Sequence, residues 1–166
     1  MRIQFASDLH LEFKENLAYI QSNPFEVTGD ILILAGDTFY LNDTTMPKIR
    51  FWKWASHNHQ QVMLLPGNHE FYNNVYEKAL KKYKDICKEY DNVYLLENGT
   101  LVDDENKRVF IGATLWSNLE LGGNVFASSN FSETFVSDYS VIRTNTEMYC
   151  DVEERIKPNF TINLFK

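Results

Sequence analysis

Polar side chains follow three apolar segments of this sequence, each at the point where the segment ends. Asp8 and His10 come after the first segment, Asp37 follows the second, and Asn68 and His69 follow the third. If these segments are parallel strands, their carboxyl ends meet at one edge of a sheet, where open α/β sheets gather their chemistry. The sequence therefore predicts that the five side chains lie together at that edge.

This mixture of oxygen and nitrogen donors predicts a metal centre. Mixed donor sets suit Mn²⁺, Fe, Zn²⁺ or Ni²⁺ better than Ca²⁺ or Mg²⁺. Asp37 has two carboxylate oxygens and can bridge two cations, while Asn68 offers a neutral carbonyl oxygen. Two ions roughly 3.5–4 Å apart lower the pKa of a bound water and stabilise the charge that develops on phosphoryl oxygens. The predicted chemistry is therefore displacement at phosphorus.

Each motif taken alone also has a simpler explanation. Asp8 and His10 could cap a turn or a helix, Asp37 could be a turn residue, and Asn68 could be there because asparagine tolerates a positive φ. The spacing favours the metal centre, because Asp8, Asp37 and Asn68 recur at intervals of about 30 residues, the length of one βαβ unit. Three coincident turns at that interval are a weaker explanation than one site.

The elements that must position these residues follow from periodicity and from stop signals. Short apolar-rich segments bounded by turn signals predict four strands; they cover residues 2–6, 31–35, 61–65 and 93–96. Residues 31–35 are uniformly apolar, which is typical of a strand buried on both faces. Helical spacing and capping residues predict three helices; they cover residues 16–21, about 45–56, and 75–90 after a cap at Asn73 or Asn74. This alternation predicts an α/β fold with a parallel sheet.

The remainder of the chain is less regular. Residues 100–102 and 108–113 flank a polar turn and are predicted to pair as an antiparallel addition to the sheet. Residues 132–142 are compatible with a short helix, and residues 143–166 show no firm pattern. The stretch Phe160–Phe165 reads equally as a strand or as a frayed tail.

Composition narrows the class of protein. The 166 residues, 44% hydrophobic and 23% charged, are typical of one soluble domain. A net charge of −7 argues against a dedicated nucleic-acid surface, although bound metal ions could still attract a phosphate ester. No apolar run is long enough for a membrane span, and no targeting segment is evident. Cys87 and Cys150 are therefore expected to be reduced thiols in a cytoplasmic protein.

The strand-end blocks resemble those of the calcineurin-like metallophosphoesterases. The blocks Ser-Asp8-Leu-His10, Ala-Gly36-Asp37 and Pro-Gly67-Asn68-His69-Glu70 are similar, in order and separation, to that family's first three motifs. The segment Phe110–Trp116 resembles the strand that follows them in bacterial members, so the resemblance covers most of residues 1–142. It implies part of a four-layer α/β/β/α sandwich with a mixed sheet.

The resemblance also implies a role for each site residue. Asp8 and His10 would bind a first ion, Asp37 would bridge two ions, and Asn68 would bind the second. His69 would donate a proton to the leaving oxygen or contact the phosphate, since an imidazole exchanges protons around pH 7. The implied activity is hydrolysis of a phosphate mono- or diester by a hydroxide activated at two metal ions.

One departure from the family pattern is clear in the sequence. The family completes its site with a lone histidine and a Gly-His-x-His block, but no histidine follows His69 here. Residues 1–166 are therefore interpreted as a single calcineurin-like domain that is truncated at its C-terminal side, with weak metal binding and impaired hydrolysis.

Two hypotheses remain open at this stage. The chain is either part of a metallophosphoesterase or a catalytically inactive binding module derived from one. Retention of the five strand-end side chains favours the enzyme, whereas the missing histidines favour the module. An incomplete sandwich would also expose an apolar sheet face, which predicts self-association or pairing with a complementing C-terminal chain.

Overall fold

The computed structural model describes residues 1–40, 49–116, 134 and 136–143. The strands in these ranges are β1 Ile3–Ala6, β2 Ile31–Ala35, β3 Gln61–Leu65, β4 Val93–Leu95, β5 Gly99–Asp103 and β6 Arg108–Gly112. The helices are α1 Lys14–Ser22, α2 Ile49–Asn58, α3 Tyr76–Cys87 and α4 Asp138–Val141. A single 3-10 turn, His69–Phe71, follows β3.

The first four strands form one parallel sheet in the order β1-β2-β3-β4. Successive strands are joined by α1, α2 and α3. Since parallel crossovers are right-handed and the strands stand in chain order, all three helices lie on the same face of the sheet. The carboxyl ends of β1, β2 and β3 consequently lie side by side, as the sequence predicts.

The main core lies between this sheet and its helices. Leu32, Leu34, Val62 and Leu64 alternate along β2 and β3, and each is at most 1% exposed. They pack with buried side chains of α2 and α3, namely Phe51, Trp52, Ala55, Ala79, Tyr83 and Ile86. The period-2 pattern of the strands therefore meets the helical periodicity of α3 in one continuous core.

The opposite face of the sheet is covered by the β5–β6 hairpin. Ile31 and Met63 are fully buried on this face, and Leu101 and Phe110 of the hairpin pack in the same cluster. The hairpin forms its own two-stranded antiparallel sheet and does not extend the edge of the parallel sheet. The described layers therefore run helix, sheet, sheet, which is the α/β sandwich arrangement expected from the sequence.

Part of the apolar surface remains exposed. Ile3 and Phe5 share a face with Ile31 and Ile33 by strand register, but the hairpin does not cover them, and Phe5 is 78% exposed. On the outer face of the hairpin, Ile111 is 70% exposed. The described residues thus leave β1, an edge strand, without an apolar partner on this side.

The start of α3 differs from the sequence prediction. α3 begins at Tyr76, and its N-cap Val75 has no side-chain capping hydrogen bond, so neither Asn73 nor Asn74 is the cap. The reason is tertiary, because Tyr76 N donates to Arg143 O and Arg143 N donates to Asn74 O in a parallel bridge. The predicted helix start at residues 45–47, the segment Phe160–Phe165 and Cys150 lie outside the described residues.

Backbone hydrogen bonds join the loops that follow β1 and β2. Asp8 N donates to Gly36 O, His10 N to Asp37 O and Leu11 N to Thr38 O, at 2.8–3.1 Å. These bonds continue the parallel pairing beyond the strand ends. The first two polar loops are therefore positioned by the backbone, independently of any ligand.

A buried carboxylate joins the second and third loops. Glu70 is fully buried, and its oxygens accept hydrogen bonds from the backbone N–H groups of Asp37 at 3.0 Å, Thr38 at 2.6 Å and Gly67 at 2.8 Å, and from the Tyr83 hydroxyl at 3.1 Å. Burial raises the pKa of Glu70 to about 7, while the Thr38 and Gly67 donors favour the ionised form. Sequence patterning gave Glu70 no role beyond its place in the third block.

We expect Glu70→Gln to destabilise the protein by about 2–3 kcal/mol, because the amide nitrogen would face backbone N–H donors and leave them unpaired. The free energy of unfolding would be measured by urea titration followed by tryptophan fluorescence. Glu89→Gln is the matched control, since Glu89 is exposed after α3, and we expect it to change stability by less than about 0.5 kcal/mol. Equal unfolding midpoints for the two variants would contradict the role given to Glu70.

A second pair of variants tests how the hairpin packs on the sheet. A Cβ at Gly112 would lie 2.5 Å from Leu96 Cβ and 2.8 Å from Leu96 O, whereas a Cβ at its strand partner Gly99 would make only ordinary contacts of 3.7 Å. We expect Gly112→Ala to cost about 1–3 kcal/mol through overpacking, and Gly99→Ala to be nearly neutral. A thermal unfolding comparison in which Gly99→Ala is the more damaging variant would contradict this packing.

Candidate metal centre

Three of the predicted site residues adopt backbone conformations that ordinary residues rarely use. The φ angles of Asp8, His10 and Asp37 are 56°, 45° and 52°. A non-glycine residue in this left-handed region costs on the order of 1–3 kcal/mol unless the surroundings hold it there, and such residues cluster at functional sites. Here the bonds between the first and second loops supply that restraint.

The same three residues bring their donor atoms together. Asp8, His10 and Asp37 each offer one ligand atom, and these atoms lie within 4.8 Å of one another. This is the distance range over which side chains can share a cation. The structure therefore assembles three of the four residues predicted to bind metal.

Asn68 lies in the third loop, with its amide nitrogen already occupied. Asn68 Nδ2 donates to Asp138 Oδ1 at 2.7 Å and to the Tyr72 hydroxyl at 3.2 Å. Because both contacts use the nitrogen, the carbonyl oxygen of Asn68 is the atom left to meet a cation. Asp138 was not predicted from the sequence, since it is 70 residues away in the chain and comes close only through the tertiary fold.

His69 lies against the first two loops. Its backbone N–H donates to Asp37 Oδ1 at 3.1 Å, and its ring meets the edge of the His10 ring at 4.5 Å between centroids. Tyr72 stacks on the other side at 4.3 Å, while Phe71 is fully buried in the core. The aromatic pair therefore packs within the protein, which leaves the His69 ring restrained beside the three donors.

The close approach of the second and third loops depends on a glycine. A Cβ at position 67 would lie 2.1 Å from Asp37 Oδ1 and 2.7 Å from Asp37 N. No other residue can fit there without displacing the carboxylate. Gly67 is therefore needed for the position of Asp37, whereas the sequence indicated only that it ends β3.

Glu12 is a member of this cluster that sequence reasoning missed. Its side chain is 4% exposed, and Oε1 lies 3.0 Å from His10 Nδ1 and 3.6 Å from His69 Nδ1. His10, Glu12 and His69 form a second group of donor atoms within 4.8 Å of one another. Its place two residues after His10 was visible in the sequence, but no periodic pattern distinguished it from a loop residue.

The donor chemistry fits a divalent cation. Three carboxylates, those of Asp8, Glu12 and Asp37, lie around two imidazoles, and Glu12 Oε2 and His69 Nδ1 are buried without a hydrogen-bond partner among the described residues. Buried polar atoms are normally paired, so the unpaired acceptor Glu12 Oε2 beside this cluster fits a cation bound nearby. Asp8, His10, Asp37 and Asn68 are the residues that could hold it.

Basic side chains gather near the start of α3, where Lys81 is paired with Asp85 at 2.7 Å. A cleft of about 450 Å³ is lined by Lys78, Lys81, Lys82 and Arg143, together with the asparagine pair that precedes α3. α3 begins at the same edge as the polar loops, so its first two turns contribute these lysines. The net charge of −7 conceals this patch, which composition alone could not reveal.

None of the helices in the described ranges is long and apolar enough to cross a membrane.

Comparison with known proteins identifies relatives of this chain. The family model of calcineurin-like phosphoesterases matches residues 1–145. Uncharacterized protein L509 of Acanthamoeba polyphaga mimivirus is 30% identical over 158 residues, which cover 86% of this chain and 52% of that protein. The crystal structure of phosphopantetheinyl hydrolase from Mycobacterium tuberculosis superposes with a TM-score of 0.59 at 16% identity, covering 89% of this chain and 57% of that one.

These matches agree with the fold and with the strand-end motifs. The structural likeness shows the fold, and the chain spans about half the length of both relatives. Members of the matched family typically bind divalent metals, and the clustered donors described above are in keeping with that property. The family match extends over most of the sequence, so this chain belongs to the calcineurin-like phosphoesterases.

Proposed function

We propose that this chain forms the metal-binding part of a phosphoesterase that hydrolyses phosphate mono- or diesters. The observation that supports this best is the convergence of Asp8, His10 and Asp37 within 4.8 Å in a member of the calcineurin-like family. The proposed cations are Mn²⁺, Fe, Zn²⁺ or Ni²⁺, because the donors mix carboxylate and imidazole.

Each residue has a defined part in this proposal. Asp8 and His10 would hold one cation, Asp37 would be shared with a second, and the carbonyl oxygen of Asn68 would bind that second cation. When bound, such a pair supplies a water of lowered pKa and neutralises charge on the phosphoryl oxygens. His69, held between His10 and Tyr72, delivers a proton to the leaving oxygen. The neighbouring lysine-lined cleft favours approach of an anionic substrate.

The donor set for a second cation is incomplete. Among the described residues, Asp37 and Asn68 are the proposed ligands of this cation, and the sequence has no histidine after His69. Loss of even an outer ligand partner typically lowers metal affinity 10–100-fold. We therefore propose weak occupancy of the second position and slow turnover by the chain on its own.

The alternative proposal is a non-catalytic module that holds one cation or none. The observation in its favour is the same missing histidine set. The two proposals differ in whether a substrate is turned over, so an activity assay separates them.

We expect slow but measurable hydrolysis of bis(p-nitrophenyl) phosphate that depends on Mn²⁺ or Ni²⁺. Asp37→Asn should lower this rate at least about 100-fold, because the shared carboxylate charge is lost. Asp104→Asn, an exposed change in the β5–β6 turn, is the matched control and should keep full activity. The release of p-nitrophenolate would be followed by absorbance, with and without chelator.

Two results would count against the enzyme. One is the absence of turnover at every metal concentration tested, which would leave the non-catalytic module. The other is turnover that Asp37→Asn leaves unchanged, which would indicate contaminating activity and remove the support for the assigned site.

The exposed apolar face carries a separate proposal about partners. Phe5 and Ile3 lie on the sheet face that the hairpin leaves uncovered, and Val102, Val109 and Ile111 are more than half exposed on the hairpin's outer face. Exposed apolar surfaces of this kind, next to an edge strand, promote association. We propose that two copies of this chain associate through the face that contains Phe5 when no other polypeptide covers it.

We expect concentration-dependent dimerisation in sedimentation velocity, weakened at least about 10-fold by Phe5→Ser because an apolar contact is lost on both copies. Tyr19→Ser is the matched control, since Tyr19 is 66% exposed on α1 in the helix layer and should leave association unchanged. A chain that remains monomeric up to high micromolar concentration would contradict this proposal.

A further inference from the structure

The carboxylate of Glu12 lies between the two histidines of the candidate metal centre. Its Oε1 is 3.0 Å from His10 Nδ1, which is hydrogen-bond distance, and 3.6 Å from His69 Nδ1, which is longer than a hydrogen bond. The side chain is 4% exposed, so water does not compete for this contact. His10 is therefore the direct partner of Glu12.

This contact decides which nitrogen of His10 is free. A neutral imidazole has one N–H donor and one acceptor nitrogen, and an ionised carboxylate can only accept. If Glu12 is ionised and His10 neutral, the 3.0 Å contact puts the proton on Nδ1. Nε2 then keeps its lone pair and is the ring nitrogen available to an ion shared with Asp8 and Asp37.

The backbone around His10 is fixed by other contacts. Asn16 Nδ2 donates to Leu9 O at 3.1 Å and to His10 O at 3.3 Å, and His10 N donates to Asp37 O at 2.9 Å. Because these bonds restrain the main chain, the side chain of His10 can still vary in the rotation of its imidazole ring and in which ring nitrogen carries the proton. Glu12 restrains both.

The second oxygen of Glu12 adds an independent observation. Oε2 is buried and has no hydrogen-bond partner among the described residues. A buried anionic group without full compensation is costly, and a cation bound nearby offsets part of that cost. The charge of Glu12 thus favours occupation of the adjacent cation position.

We propose that Glu12 is a positioning residue of the metal centre, which holds the Nδ1 proton of His10 so that Nε2 binds the ion. A carboxylate that accepts the second N–H of a histidine ligand fixes its tautomer and raises its basicity. The inference rests on the proposed metal centre, although it does not depend on turnover of any substrate. It adds to the three blocks a residue that none of them contains.

The tautomer is tested first, on the unaltered chain. In a long-range ¹H–¹⁵N correlation spectrum of the ¹⁵N-labelled, metal-free protein at pH 8, we expect His10 to show the Nδ1–H form, with its signals assigned by their loss in His10→Gln. The Nε2–H form, or an even mixture of the two, would overturn the inference. This result does not depend on whether a Glu12 variant folds.

Metal affinity is tested second, by calorimetric titration with Zn²⁺. We expect Glu12→Ala to bind zinc 10–100-fold more weakly with the same stoichiometry. Glu12→Asp should recover part of the affinity. The control is Glu15→Ala, an exposed change in the first turn of α1, which should bind zinc as tightly as the unaltered chain. Unchanged affinity in Glu12→Ala would overturn the inference. Loss of one whole equivalent of zinc would also overturn it, because Glu12 would then be a ligand itself.

The outcomes separate this inference from the proposed function. A chain that binds no zinc at all would overturn both. An Nε2–H tautomer in a chain that still binds zinc and hydrolyses phosphodiesters would overturn the role of Glu12 alone. Absence of hydrolysis, with the expected tautomer and zinc affinities, would leave the inference standing while the enzyme proposal fails.

Discussion

The arrangement of the candidate site depends on one buried carboxylate with backbone partners on two loops. Glu70 accepts hydrogen bonds from the N–H groups of Asp37, Thr38 and Gly67, and a further bond comes from Tyr83 on α3. Backbone bonds continue the parallel pairing between the first and second loops beyond the strand ends, and Glu70 joins the second loop to the third. Glu70 supplies the missing acceptors and links both loops to the helix layer. An amide or an apolar side chain could not satisfy this many donors at once.

That restraint explains how the site sustains unfavourable local geometry. Three of the proposed ligands, Asp8, His10 and Asp37, have positive φ values, and Asp37 Oδ1 approaches the backbone of Gly67 so closely that no Cβ fits there. Neither feature is stable in an isolated loop. Both persist because backbone bonds between loops and the Glu70 carboxylate over-determine the conformation. The free-energy cost of these backbone conformations is therefore offset by contacts within the folded chain before any cation binds, as expected of a preorganised centre.

Two deficits remain among the described residues: donors for a proposed second cation, and cover for an apolar sheet face. The chain spans about half the length of the two proteins compared with it above, and the described layers run helix, sheet, sheet. The hairpin covers Ile31 and Met63 but leaves Phe5 on β1 exposed. Among the described residues, the proposed second cation has Asp37 and Asn68 as its named donors.

The sequence by itself determined the class of fold, the four parallel strands and the candidate ligands Asp8, His10, Asp37 and Asn68, because apolar runs and the polar residues that end them are local signals. That these strands run parallel in one sheet follows from the βαβ repeat, whereas their register is known from the structure. Only the tertiary structure revealed Glu12 and Asp138, placed the hairpin across the sheet and moved the start of α3 to Tyr76. These depend on contacts between residues distant in the chain, or on which way a loop side chain turns. A buried carboxylate between two imidazoles has no signature in a linear pattern, since burial exists only once the loops have packed together.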